Sequence, residues 1–141
     1  MKANPSVNRY LEDKAFDRID HALGRPTFPL RETYRNHYAT DATGSLAIEF
    51  GFSPYWRWLG QQGNMAFFEV TEAGSAALAR HLADLPNPWR AYTVRFDDRE
   101  WIEPARSRDK CRYSAWLKIS DTWSELSFAD FCRRSSVKVA A

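Results

Sequence analysis

The apolar positions of this chain switch between helical and strand-like periods. In NRYLEDKAFDRIDHAL (residues 8–23), Leu11, Ala15, Phe16, Ile19, Ala22 and Leu23 recur at three- and four-residue spacing, the stripe of an amphipathic helix. Asn8 is placed to cap its start, and Gly24 followed by Pro26 to stop it. RPTFP reads as a linker, and LRETYRNHYA (30–39) as a second helix with Leu30, Tyr34 and Tyr38 on one side, broken by TDATGS. In SLAIEFGFSPYWRWLG, Leu46, Ile48, Phe50 and Phe52 alternate as in a strand. Leu46/Phe50 and Ile48/Phe52 also fit i,i+4 spacing with Ser45 as a cap; a short helix is preferred, and Pro54 ends either element.

GQQGN is a turn candidate, and MAFFEV (65–70) a strand. TEAGSAALARHLADL (71–85) is a helix capped by Thr71, with Glu72 in the first turn and Ala73, Ala77, Leu78, Leu82 and Leu85 as its buried stripe. PNP (86–88) ends that helix and forms the clearest internal boundary. Beyond it RAYTVRF alternates with Tyr92, Val94 and Phe96 on one face, turns at Asp97-Asp98 and returns in REWIEP, so residues 91–103 form a hairpin. Ser107 caps a helix, RDKCRYSAWLKI. Ser127 caps another as a Ser127-x-x-Asp130 box, with Leu126 and Phe131 as a hydrophobic staple. The tail SSVKVAA adds a short edge strand.

These elements predict an α+β fold: a mainly helical part, 1–88, and a ββα unit, 89–141, packed together as one domain. MAFFEV is expected to join the 91–103 hairpin in one sheet. The length of 141 residues suits that organisation, and 44% hydrophobic against 27% charged residues marks a globular chain. MKANPSVNRYLEDKAF lacks the apolar core of a signal peptide, and no run approaches the roughly 20 apolar residues of a membrane span. The expectation is a cytosolic protein with Cys111 and Cys132 reduced and no membrane partner.

Candidate chemistry is sparse. VTEAG offers one glycine, inside a helix, with Glu72 where a phosphate would sit, so it is no phosphate cradle. There is no GxSxG elbow, and three His and two Cys never fall at metal-ligand spacing. Cys111, Ala115 and Ile119 share a helical face, which makes Cys111 a structural thiol; Lys110, Arg112 and Arg108 nearby are the only argument for a reactive one. Glu12/Asp13 is the polar side of a helix and Asp97/Asp98 a turn. His37 and His81 fall on predicted helices. No catalytic residue, cofactor or metal is assigned, and the chain reads as a non-enzyme.

Net charge is only +2, so nucleic-acid binding needs a local patch. PARSRDKCRYSAWLK (104–118) supplies one: Arg106, Arg108, Lys110, Arg112 and Lys118 against Asp109, with Tyr113 and Trp116 interleaved. Arginines suit phosphates and rings suit bases. Arg106, Arg108, Lys110 and Arg112 would hold phosphates, Tyr113 or Trp116 would stack, and Arg133, Arg134 and Lys138 would extend the patch. A solvated helix face is the plainer alternative. Aromatics form 15% of the chain, and the run Tyr55, Trp56, Arg57, Trp58 is a second candidate surface, for a protein partner.

YRNHYAT, the SLAIEF run and MAFFEVTEAGSAAL together resemble small uncharacterised phage and prophage proteins with an NHY motif and an FxVTEAGxxAL ending. Over residues 30–85 the chain is also similar to winged-helix modules: a helix, a wing strand F-x-V-T and a closing helix. The segment in the recognition-helix place, SLAIEFGFSPYW, is rich in rings and has no Arg or Lys, which argues against base reading there. The resemblance implies a non-enzymatic phage accessory protein in the bacterial host cytosol, binding nucleic acid or a nucleoprotein complex. The alternative is a protein-binding inhibitor of a host defence machine such as a CRISPR complex, acting through the rings at 55–58.

Overall fold

The computed structural model describes residues 4–140; the start of the first segment and Ala141 lie outside them. Within that span the fold is α+β, with five helices and two three-stranded antiparallel sheets. The first half runs α1 (Lys14–Leu23), β1 (Tyr38–Asp41), α2 (Ser45–Phe52), β2 (Trp56–Gln62), β3 (Met65–Val70) and α3 (Glu72–Ala83). The second runs β4 (Arg90–Phe96), β5 (Arg99–Ala105), α4 (Arg108–Ser120), α5 (Phe128–Arg134) and β6 (Ser135–Val139). Sheet orders are β1-β3-β2 and β5-β4-β6. MAFFEV therefore does not join the 91–103 hairpin. As β3 it is the middle strand of its own sheet, and each sheet has its own core.

In the first core Phe50 stacks on Trp56 at 4.0 Å between ring centroids, Phe68 meets Phe50 edge-on at 5.3 Å, and Leu11, Ile19, Leu23, Val70 and Leu78 close around them. In the second, Tyr92, Val94 and Phe96 of β4 face Cys111 and Ala115 of α4, Phe131 of α5 and Val137 of β6. Leu126 and Phe131 are both buried at the start of α5, as a hydrophobic staple requires.

Two boundaries differ from the sequence reading. Helix α1 begins at Lys14, not near Asn8, because the Asp13 carboxylate accepts the Ala15 and Phe16 N–H groups. Residues 4–13 instead lie extended along α1 and the 24–28 return: Val7 N–H donates to Arg25 O, and Thr27 N–H to Pro5 O. The buried Arg9 guanidinium clamps Asp20 at 2.5 and 2.8 Å and donates to Pro26 O. Helix 30–39 does not form. Tyr38–Asp41 pairs with β3 as an edge strand, and Asn36 bonds both Val70 backbone groups, capturing the segment for the sheet. The stretch after Pro54 also extends, so Trp56–Gln62 is a strand and only Gly63 and Asn64 turn. The hairpin β2–β3 runs directly into α3. A single eight-residue helix, α2, separates β1 from β2, so there is no helix-turn-helix pair here.

Burial alone would raise the Asp17 carboxyl. The Arg25 hydrogen bond, the Leu11 N–H, and the charges of Arg25 and Lys14 outweigh it and hold Asp17 below its ordinary 3.8. A lowered folded-state value stabilises above the unfolded one, and that stabilisation is lost as pH falls through and below 3.8. Asp17→Asn should therefore lower the urea midpoint at pH 7 and converge with the parent as pH drops below about 3.8. A constant gap across pH would refute this.

Two glycines sit inside helices for opposite reasons. A Cβ at Gly74 would lie 2.6 Å from the Tyr55 carbonyl oxygen and 2.7 Å from Val70 Cγ1, whereas one at Gly51 would meet nothing within 4 Å. Gly51→Ala should stabilise by about 0.5–1 kcal/mol, as Ala does in an exposed helix. Gly74→Ala should destabilise, because backbone must move. Chemical denaturation of both variants checks the signs.

Candidate nucleic-acid interface

The basic stretch is built where β5 ends and α4 begins. The β4–β5 register sets Arg90 opposite Ala105, so Arg90 and Arg106 leave the sheet at one end. Arg106 lies over the Trp89 ring at 5.6 Å. Ser107 then caps α4 by accepting the Lys110 N–H, which starts the helix with Arg108 in its first turn. Arg90, Arg106, Arg108 and Lys110 are exposed and make no ion pair among the described residues. Of the remaining cations of this half, four are committed to carboxylates, whereas Arg99, Arg112 and Lys138 make no ion pair among the described residues. Arg95 pairs with Glu100, Arg133 with Asp130, and Arg134 with Asp97. Arg133 and Arg134 are thus neutralised, and of the three proposed to extend the patch only Lys138 keeps an unpaired charge.

Lys118 is also committed. Glu103 is 2% exposed, and its carboxylate accepts Lys118 Nζ at 2.8 and 2.9 Å, Ser114 Oγ at 3.0 Å and Trp101 Nε1 at 3.1 Å. This cluster fastens α4 to β5. Arg112 is half-buried, and its Nε is buried with no hydrogen-bond partner among the described residues. Of the four predicted phosphate ligands, Arg106, Arg108 and Lys110 are at the surface, and Arg112 is partly withdrawn.

The aromatic part divides. Tyr113 is 50% exposed, while Trp116 is half-buried and donates Nε1–H to Leu126 O at 3.0 Å, which ties α4 to the turn before α5. Phe128 completes a ring cluster, 5.7 Å from Tyr113 and 5.5 Å from Trp116. Tyr113 and Phe128 offer ring faces; Trp116 supports them. Phe128 and Arg90 were not among the sequence candidates. Arg90 is visible only from strand register, and Phe128 only from the folding of α5 onto α4.

The second candidate surface splits too. Trp56 is 8% exposed and stacked in the core, so it presents no surface to a partner. Tyr55 is half-buried, Arg57 pairs across the hairpin with Glu69 at 2.6 Å, and Trp58 is 60% exposed. The histidines are not on a common site: His81 stacks on Phe16, and His37 precedes β1 rather than lying on a helix. Among the described residues, no three His, Cys, Asp or Glu side chains come together as a metal site, and no helix is long and apolar enough to cross a membrane. No protein-family model, curated protein or solved structure matches the chain.

Burial, helped by the Glu103 charge and opposed by Arg112 and Lys118, pushes the Cys111 thiol up from 9.0 to about 12. The thiolate that a nucleophile requires is suppressed. A colorimetric thiol reagent at pH 8 should therefore leave Cys111 unmodified in the native protein, with half-buried Cys132 reacting first. Denaturant should release the second equivalent. Immediate reaction of Cys111 in native protein would contradict its placement.

Proposed function

We propose that this protein is a non-enzymatic accessory protein, of the phage type its motifs resemble, that holds nucleic acid or a nucleoprotein complex in the host cytosol. The observation that carries the reading is the contrast within the second half. Arg90, Arg106, Arg108 and Lys110 stand unpaired at one end of the sheet, while Arg95, Lys118, Arg133 and Arg134 are held by carboxylates. Unpaired cations near one end of a sheet suit a phosphate backbone, because each can take a phosphate oxygen without first losing a carboxylate. The N-terminal turn of α4 adds its positive dipole end, diminished by the exposed Asp109.

Tyr113 follows Lys110 by three residues on α4 and packs on Phe128 of α5, so this pair of rings adjoins the basic stretch. Base stacking on such rings is worth about 1–3 kcal/mol and tolerates any sequence. The arrangement favours single strands or splayed ends over base-specific duplex reading, since α2 brings no Arg or Lys and no helix pair accompanies it.

Fluorescence anisotropy with labelled single-stranded and duplex DNA and RNA, at two salt concentrations, tests this reading. Affinity should fall steeply with salt. Arg106→Ala with Arg108→Ala should weaken binding and flatten the log–log salt slope by about 0.7 per lost phosphate contact on single strands. Tyr113→Ala should weaken binding without changing the slope. No binding at low salt would overturn the reading.

A further inference from the structure

A cavity of about 510 Å³ lies where the 27–31 loop, α3 and the 88–90 link meet. Its lining is mostly apolar: Phe28 and Leu30 from the loop, Ala79 and Ala83 one turn apart on α3, and Trp89. The loop is held in place by the chain itself. The Asn4 side chain accepts the Phe28 N–H at 2.9 Å and donates to Phe28 O at 3.0 Å and Glu32 O at 2.8 Å. Leu30 is nevertheless 69% exposed and Ala83 is exposed at the helix end, so apolar surface borders open space.

Charge restricts what the cavity can take. Arg31 and Arg90 are its charged lining side chains, with no Asp or Glu among the described residues there. Arg31 lies over the Phe28 ring at 3.7 Å, whereas Arg90 belongs to the unpaired basic stretch. Trp89 beside it carries Arg106 over its ring at 5.6 Å, so cavity and basic stretch are continuous through residues 89 and 90. The buried Trp89 Nε1 has no hydrogen-bond partner among the described residues, so the chain's own hydrogen bonds do not account for a tryptophan here.

We propose that this cavity holds one unstacked base of a nucleic-acid strand whose flanking phosphates lie along Arg90, Arg106 and Arg108. The inference rests on the nucleic-acid reading and deepens it, giving the strand a place for a base apart from the Tyr113–Phe128 rings. A base brings apolar faces suited to Phe28, Trp89 and the alanines, and it arrives joined to the anions the arginines need. A neutral apolar molecule would answer no arginine. A lone carboxylate would answer Arg90 and leave Arg106 and Arg108 unanswered. The volume falls among small-ligand sites of about 300–1,000 Å³, which bury about 70–90% of what they hold. A paired base cannot enter without leaving its duplex, which favours single strands and frayed ends.

The probe is a thymidine strand of about 12 nucleotides with one 2-aminopurine at its middle, titrated with the full chain at low salt. On binding, the fluorescent base should become about threefold less accessible to acrylamide, saturating at one strand per chain. Ala83→Trp fills the cavity from an exposed position. It should abolish that shielding and raise the dissociation constant about tenfold, with the salt slope unchanged. Leu30→Ala, also at an exposed position, should reduce the shielding and preserves the test should Ala83→Trp disturb folding. Salt-dependent binding without shielding, or shielding indifferent to both variants, would overturn the proposal and leave the nucleic-acid reading standing. So would dodecanoate binding that Ala83→Trp abolishes and the strand does not compete with, since a lone anion would then occupy the cavity. Absence of strand binding at low salt would remove both readings.

Discussion

Asp20 has no solvent-exposed surface, and the first half of the chain is arranged around that carboxylate. Arg9 reaches it from the extended segment and Arg25 from the return after α1, where Arg25 adopts a left-handed φ of 53°. Through these contacts the segment before α1, the helix and its C-terminal turn are joined without a sheet between them. A lone charge left in such a place would cost about 3–5 kcal/mol, so the three pieces are bound to one another's geometry. Leu11, Ile19 and Leu23 are thereby presented together to the Phe50–Trp56 stack. Glu103 has the corresponding place in the second half, where a buried carboxylate joins β5 to α4 through Lys118 and Ser114.

The elements read correctly from the sequence are those whose signals are local. Thr71 and Ser107 are caps with good helix formers behind them, and MAFFEV and RAYTVRF carry period-two patterns, so β3, β4, α3 and α4 fall where expected. The elements misread are those that a distant partner decides. Residues 30–39 have helical spacing, but Asn36 finds Val70 across the chain and β3 claims Tyr38–Asp41. The segment ahead of Lys14 has the apolar stripe of α1, but Asp13 is a strong cap and Arg9 is needed at Asp20, which extended backbone allows. Tertiary demand overrode a weak local preference in both cases.

The same distinction applies to the candidate surfaces. The charges of 106–112 are legible as residue types, but which are available depends on carboxylates elsewhere in the chain. Glu103 takes Lys118, and Asp97 takes Arg134 from 37 positions away. Among the rings, the alternation Trp56-x-Trp58 puts both on one side of β2. Yet Trp56 is stacked by Phe50 in the core while Trp58 stays 60% exposed. Spacing along a strand cannot tell a covered position from an uncovered one on the same face.

The placement of β6 has a consequence for how the protein is made. Every strand and helix around the first core belongs to residues before 84, so that half can close as it leaves the ribosome. The second half cannot. Its middle strand, β4, waits with one edge bare until Ser135–Val139 has been synthesised and paired with it. For some forty residues of elongation, at about 5–20 residues per second, Tyr92, Val94 and Phe96 lack Val137 and Phe131. Until β6 emerges and pairs, that bare edge of β4 is where the second half is open to the wrong strand.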